Sequence, residues 1–251
     1  MPLRDAPTPR MAGHLPFMRS PMIGLADISP GQVAVFGATL AGGAGGSPYA
    51  PRALRETSVY FGSHFSSNMK AAMDIDRRAV LSGAGIAGRL VELGDIDLDR
   101  NVSDPGNCVA ALAEAVCRQG AIPLMLGGAG DLMRPFVEGV GRGLGQRVAS
   151  IRVASDQPPP AHAPFAVQLD AGDFASIWHG GATRPSLGGL SLTACRARMA
   201  ELGVLNLAGM AITGLDPTRQ GLSLVKTGQR LLVTAILDLI YARLGALRTM
   251  E

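Results

Sequence analysis

The chain has 251 residues, of which 47% are hydrophobic and only 17% charged, with a formal net charge of +3. That length suits one large α/β domain or two small ones. The small charge is spread over scattered arginines, with short pairs such as Arg77-Arg78 and no basic stripe interleaved with aromatics, which excludes nucleic-acid binding. Globular chains carry about 25% charged residues, so the shortfall predicts surface hidden in subunit contacts.

From the N-terminus, residues 1–30 read as an arm with little periodicity, carrying Pro2, Pro7, Pro9 and Pro16 and no continuous apolar segment of the kind found in leader peptides. "QVAVFGATL" is a short β-rich run. "AGGAGGSPYAPRALRETS" is a Gly-rich loop leading into a helix, with Pro51 suited to the first turn. Residues 60–88 are polar and weakly patterned. "RLVELGDIDLD" reads as a strand ending in carboxylates. The best-defined helix follows. Asp104 is its candidate N-cap, Pro105 suits the first helical position and Gly120 suits the C-terminal cap, while Val109, Leu112, Ala113 and Val116 form one apolar stripe.

"AIPLMLGG" is another strand, with a helix over 131–142. "RVASIRVAS" is a strand, and the three prolines of "DQPPPAHAP" exclude regular structure after it. "FAVQLD" is a strand, "SLTACRARMAEL" a helix stopped by Gly203, and "LNLAGMAITGLDP" a strand closed by Pro217. The last helix starts near Leu222 and is apolar almost all round between Leu231 and Leu239, which requires burial on more than one side. The run "RLLVTAILDLIYARLGAL" is broken by Asp238 and Arg243 and is too polar to span a bilayer, so a cytoplasmic protein is expected. Alternating strands and helices predict an α/β fold, a mainly parallel central sheet between two helical layers, with one domain over 31–251 after the arm.

Residues able to carry chemistry are few. The "GGAGG" loop at 42–46 has the glycines of a phosphate cradle but no Lys-Ser or Lys-Thr after it. Asp95, Asp97 and Asp99 share one face of a strand and could suit a metal, or simply be solvated strand-end carboxylates. Asp170 and Asp173 precede His179, which stands beside Trp178 and reads as a packing or hydrogen-bonding imidazole at least as readily as a ligand. His14, His64 and His162 are scattered, with no spacing that links them. Cys108, Cys117 and Cys195 lack the even count and spacing of a disulfide framework or zinc site. Arg196 and Arg198 near Cys195 could depress its thiol pKa, but no His motif accompanies it, and buried reduced thiols are the plainer reading.

Five segments, in order, resemble the ureohydrolase (arginase and agmatinase) family. "GSPYAPRALRETS" is similar to the family's G-x-x-x-G-P-x-A-I-R-x-x-S, with Ala50 in place of the second Gly. "ELGDIDL" resembles its next strand, and "PLMLGGAGDLMRP" its P-x-x-L-G-G-D-H-S strand and turn. "VQLDAGDFASIWHGGATRPSLGGLSL" resembles the S-F-D-x-D-x-x-D-P … G-G-L-T stretch, and "LNLAGMAITGLDP" the late D-x-x-E-x-N-P strand. The opening "HLPFMRSP" resembles the agmatinase arm.

In that family two divalent ions, usually manganese or nickel, share a hydroxide that attacks a guanidinium carbon. The resemblance implies that this chain keeps the fold and has lost the ligands. Ala129 and Gly130 stand where the family has Asp and His. Asp170 matches the first Asp of D-x-D, Gly172 replaces the second, and Gly214 stands where the family has its guanidinium-binding Glu. "DQPPPAHAP" replaces the D-A-H-x-D cluster. One carboxylate cannot hold two divalent ions, so no cofactor and no catalytic residue is expected in this chain.

The implied role is that of a non-catalytic subunit in a hetero-oligomer of trimer or hexamer type. Its partner would be a metal-bearing paralogue holding two nickel or manganese ions and acting on a guanidine or biguanide such as metformin. Heteromeric nickel-dependent ureohydrolases pair subunits in this way. The alternatives are a self-sufficient hydrolase rebuilt around Asp170, Asp173 and His179, a small-molecule sensor using the vacated cleft, and a metal-delivery or assembly factor.

Overall fold

A computed structural model describes residues 15–40, 45–61, 72–74, 79–81, 86, 88–96, 98, 103–174, 181–184, 186, 188–219, 222–245 and 247–249. Six strands form the central sheet: β1 (Val33–Ala38), β4 (Leu90–Ile96), β5 (Ile122–Leu126), β6 (Ala149–Arg152), β7 (Phe165–Asp170) and β8 (Leu207–Thr213). They run in the order β4-β1-β5-β8-β7-β6, every neighbouring pair parallel. A separate antiparallel sheet joins β2 (Ala72–Asp74), β3 (Ala79–Leu81) and β9 (Leu247–Thr249). No periodicity in residues 60–88 announced it.

Strand alternation builds two cores. Val33, Val35, Leu124, Leu126, Val167, Leu169, Met210 and Ile212 face α1 (Ala50–Ser58), α4 (Leu192–Gly203) and α5 (Leu222–Arg243). Phe36, Ala38, Met125, Ala166 and Ala211 face α2 (Pro105–Arg118) and α3 (Met133–Leu144). The result is the expected three-layer α-β-α arrangement. The chain leaves β5 toward the α2/α3 layer and leaves the adjacent β8 toward the α5 layer. The carboxyl ends of β5 and β8 are therefore the switch point of the sheet, the place where parallel α/β sheets hold ligands.

Local rules explain most boundaries. The Asp104 carboxylate accepts a hydrogen bond from the Asn107 amide at 2.9 Å and starts α2, and Gly120 adopts φ +74° after it. Ser191 caps α4 in the same way through the Ala194 amide. Gly203, by contrast, does not stop α4. It lies inside the last turn, where an added Cβ would stand 2.7 Å from both the Ala242 side chain and the Leu239 carbonyl, so glycine is needed for the α4–α5 approach.

The charge shortfall and the apolar α5 had pointed to a hidden subunit surface. Within α5 the cause is different: Leu232, Val233, Ala235, Ile236, Leu237, Leu239, Ile240 and Tyr241 are all buried by the chain itself. The helix packs on the sheet, α1 and α4. Its Asp238 is tied to Arg196 of α4 at 2.8 Å.

The first helix is anchored by a buried charge. Arg55 is fully buried, and its Nη2 donates to Glu92 Oε1 at 2.9 Å, its Nε to Glu92 Oε2 at 3.1 Å and its Nη1 to Asp95 Oδ1 at 2.6 Å. Glu92 also accepts from the Phe17 and Gly94 amides, which completes the coordination of a carboxylate with no access to water. Burial alone lowers the Arg55 pKa, and the two carboxylates more than reverse this, holding the guanidinium above its ordinary value. Arg55→Ala leaves Glu92 buried and unpaired and is expected to cost about 3–5 kcal/mol, read as a lower urea midpoint. Arg52→Ala, which removes only the exposed pair with Glu56, is expected to leave that midpoint where it is.

Candidate functional site

The turn after β5 carries Gly127 and Gly128 at φ +80° and +85°, then fully buried Ala129 and Gly130, which opens a single helical turn into α3. Gly46 of the Gly-rich loop rests on this turn so closely that a Cβ there would stand 2.6 Å from the Ala129 nitrogen. Gly45 is packed against Thr183. The described part of the loop is thus filled by protein contacts and offers no cradle for phosphate, while residues 42–44 lie outside the described residues.

Four of the five positions singled out from the sequence converge on one carboxylate. A Cβ added at Gly130 would lie 3.9 Å from Asp170 Oδ2, one at Gly172 3.1 Å from Oδ1, and one at Gly214 2.5 Å from Oδ1. Ala129 adjoins them in the turn. Asp170 ends β7, and its Oδ1 accepts the Gly172 amide at 2.9 Å while Oδ2 accepts the Thr213 hydroxyl at 2.7 Å. Thr213, fully buried opposite Asp170 in β8, accepts in turn from Gln168 Nε2 at 3.0 Å. Gln168 and Thr213 were not expected to matter. Their signal is weak, two polar residues near the ends of otherwise apolar strands.

This constellation does not fit a dinuclear metal centre. Asp170 has its oxygens committed to Thr213 and Gly172, and the positions beside it carry no donor side chain. Two of those positions are also sealed. The Arg184 carbonyl stands where a side chain at Gly172 would start, and the Asp170 carboxylate where one at Gly214 would start. Among the described residues no group of three or more His, Cys, Asp or Glu could hold a metal ion.

The other candidates resolve one by one. Asp173 does not turn toward Asp170 as a second ligand. Its side chain is 1% exposed, accepts from Arg152 Nε at 2.6 Å and accepts the Asp170 amide at 3.0 Å. Burial raises its carboxyl above the ordinary value, by more than the Asp170 amide and Arg152 lower it. Asp95 is an ion-pair partner of Arg55 and not a metal ligand. Asp97, Asp99, His14, His64, Trp178 and His179 lie outside the described residues, and His162 is exposed in the Pro-rich loop.

Cys195 follows the plainer reading, a buried thiol. Burial, reinforced by Asp173 and Asp238, pushes its thiol up to about 12. Arg196 serves Asp238 and Arg198 pairs with Glu201, so neither activates it. Cys117 is likewise pushed up to about 12 by burial.

With the geometry in place, comparison with known proteins is informative. No protein-family model matches the sequence, and no curated protein matches it. Solved structures do match. The chain superposes on a hypothetical agmatinase from Burkholderia thailandensis with a TM-score of 0.72 and 16% identity, covering 94% of this chain and 92% of that one. The fold is that of the ureohydrolases. Proclavaminate amidino hydrolase from Streptomyces clavuligerus gives 0.71 and 17% identity over 95% of this chain and 100% of that one. A Trypanosoma cruzi formiminoglutamase determined with Mn2+ gives 0.65 and 13% identity over 85% and 93%. The ureohydrolase fold is thus present at full domain length around a site that offers one carboxylate at the singled-out positions.

Two outcomes test this description. Gly130→Ala, whose Cβ would make only ordinary contacts with Gln168 and Asp170 at 3.8 and 3.9 Å, is expected to change stability by less than about 0.5 kcal/mol. Gly214→Ala, strained at φ +72° and pressed on Asp170, is expected to cost about 1–3 kcal/mol; thermal denaturation of both variants measures the contrast. A thiol-reactive dye at pH 8 is expected to label only half-buried Cys108 in the native chain, and Cys117 and Cys195 only after unfolding.

Proposed function

We propose that this chain is the non-catalytic subunit of a heteromeric, metal-dependent ureohydrolase that cleaves a C–N bond of a guanidine or biguanide, metformin being one such substrate. It is similar in kind to the degenerate subunit of metformin hydrolase. The observation that carries the reading is the sealed surround of Asp170. A chain that had merely exchanged ligands for equivalents would keep room for them, whereas here a backbone carbonyl and the carboxylate itself occupy the space at Gly172 and Gly214. The fold is retained across its full span while two of the positions that would bear the chemistry, Gly172 and Gly214, are packed shut. That combination is expected of a chain selected for its shape and its contacts.

The partner in this reading is a metal-bearing paralogue holding the two nickel or manganese ions. The present chain contributes surface that stabilises the assembly and shapes the neighbouring pocket, in the cytoplasm. Since α5 is covered within the chain, the surface offered to the partner has to be sought elsewhere. Exposed Met22, Leu25, Tyr49, Tyr60, Leu144 and Val204 are the large apolar side chains available among the described residues.

Co-expression with a metal-bearing ureohydrolase of the same organism tests this. The two chains are expected to co-elute at a fixed ratio, with hydrolysis by the mixture, none by this chain alone, and metal content that follows the partner. A partner that is fully active by itself and never co-elutes with this chain defeats the proposal for that pair.

A further inference from the structure

A second cavity lies beside the sealed site and shares Gly172 with it. The chain between β6 and β7 and the segment running up to α4 enclose an open groove of about 450 Å3 lined by Arg152, Ser155, Gly172, Arg184, Ser186 and Gly188. The volume is within the range of small-molecule sites, roughly 300–1,000 Å3. Its charge is unusual for a chain so poor in charge. The one carboxylate lining it, Asp173, is buried and already committed to Arg152 Nε and to the Asp170 amide. Arg184 is exposed, and its side chain makes no hydrogen bond or ion pair among the described residues.

Arg152 is held differently. Its Nε is fixed by Asp173 and its Nη2 stands 3.9 Å from Asp170 Oδ1, while the side chain remains 53% exposed, so the guanidinium is oriented before any ligand arrives. A positioned, half-exposed guanidinium, a second guanidinium with no carboxylate partner among the described residues and a serine hydroxyl line the same groove. Gly188 borders open space, since a Cβ there would meet nothing within 4 Å.

We propose that this groove binds a small organic oxyanion, a carboxylate or a phosphate ester, between Arg152 and Arg184. The site is independent of the missing metals, and of whether the chain acts as a subunit. Arg152 orients through its pairing with Asp173, Arg184 supplies the unbalanced charge, and Ser186 adds a neutral donor.

Isothermal titration of the full-length chain with inorganic phosphate and with succinate, each at constant ionic strength set by chloride, tests the proposal. Saturable binding of at least one anion is expected, weakened about tenfold or more by Arg184→Ala. Arg184→Lys is expected to recover part of the loss, because it keeps the charge and loses the planar fork. The Arg184 side chain makes no hydrogen bond or ion pair among the described residues, so an unchanged melting temperature separates lost binding from lost folding. Preference for succinate or for phosphate identifies the class of ligand. No saturable heat with either anion, or equal affinity in the wild type and Arg184→Ala, overturns the proposal.

Discussion

A guanidinium enclosed in protein must be answered by a carboxylate within hydrogen-bonding reach, and the pairing of Arg55 with Glu92 is the constraint on which this structure rests. It joins α1 to β4 and, through the Phe17 amide, draws the N-terminal segment against the same carboxylate. Phe17 and Met18 then enter the core. With α1 held at that point, its first residues fall on the strand ends. Pro51 approaches Gly37 of β1 and Gly127 after β5, where a Cβ would stand 2.7 and 2.6 Å from its ring. The glycines of the turn are therefore read by α1, and the Gly45–Gly46 segment is laid across Ala129 as a consequence.

That arrangement explains why a site-shaped turn persists without reactive groups. The turn is part of the packing of α1, the Gly-rich loop and the sheet, and it is retained for that reason whether or not ligands project from it. At the neighbouring strand ends the residual carboxylate has taken a structural role. Asp170 receives the Thr213 hydroxyl and the Gly172 amide, which satisfies a group only partly open to water. A network of this kind, from Gln168 through Thr213 to Asp170, ties β7 to β8 at their carboxyl ends.

Much of this was legible in the residues. Asp104 with Pro105, the stripe of Val109, Ala113 and Val116, and the apolar runs of β1, β5, β7 and β8 carry their structure locally, because capping and periodicity act within a few residues of one another. The layered architecture followed from the alternation of those elements. Gly130, Gly172 and Gly214 were singled out only through resemblance to a family; Gly172 is two residues from Asp170, but Gly130 and Gly214 are distant from it in the chain.

What the sequence by itself determined is the set of elements and their polarity: which stretches must be strands, which face of α2 is apolar, and that α5 must be buried on several sides. Tertiary structure alone decided what does the burying and what each polar group meets. The apolar circumference of α5 demands cover but does not name it, and the cover came from the chain's own sheet, α1 and α4. Gly203 looked like a helix stop and proved to be the contact that lets α4 approach α5. Arg196 stands next to Cys195 in sequence and is the partner of Asp238 in α5. In each case the missing information was a neighbour distant in sequence. Burial, charge pairing and close approach are properties of such neighbours, and periodicity and capping carry no record of them.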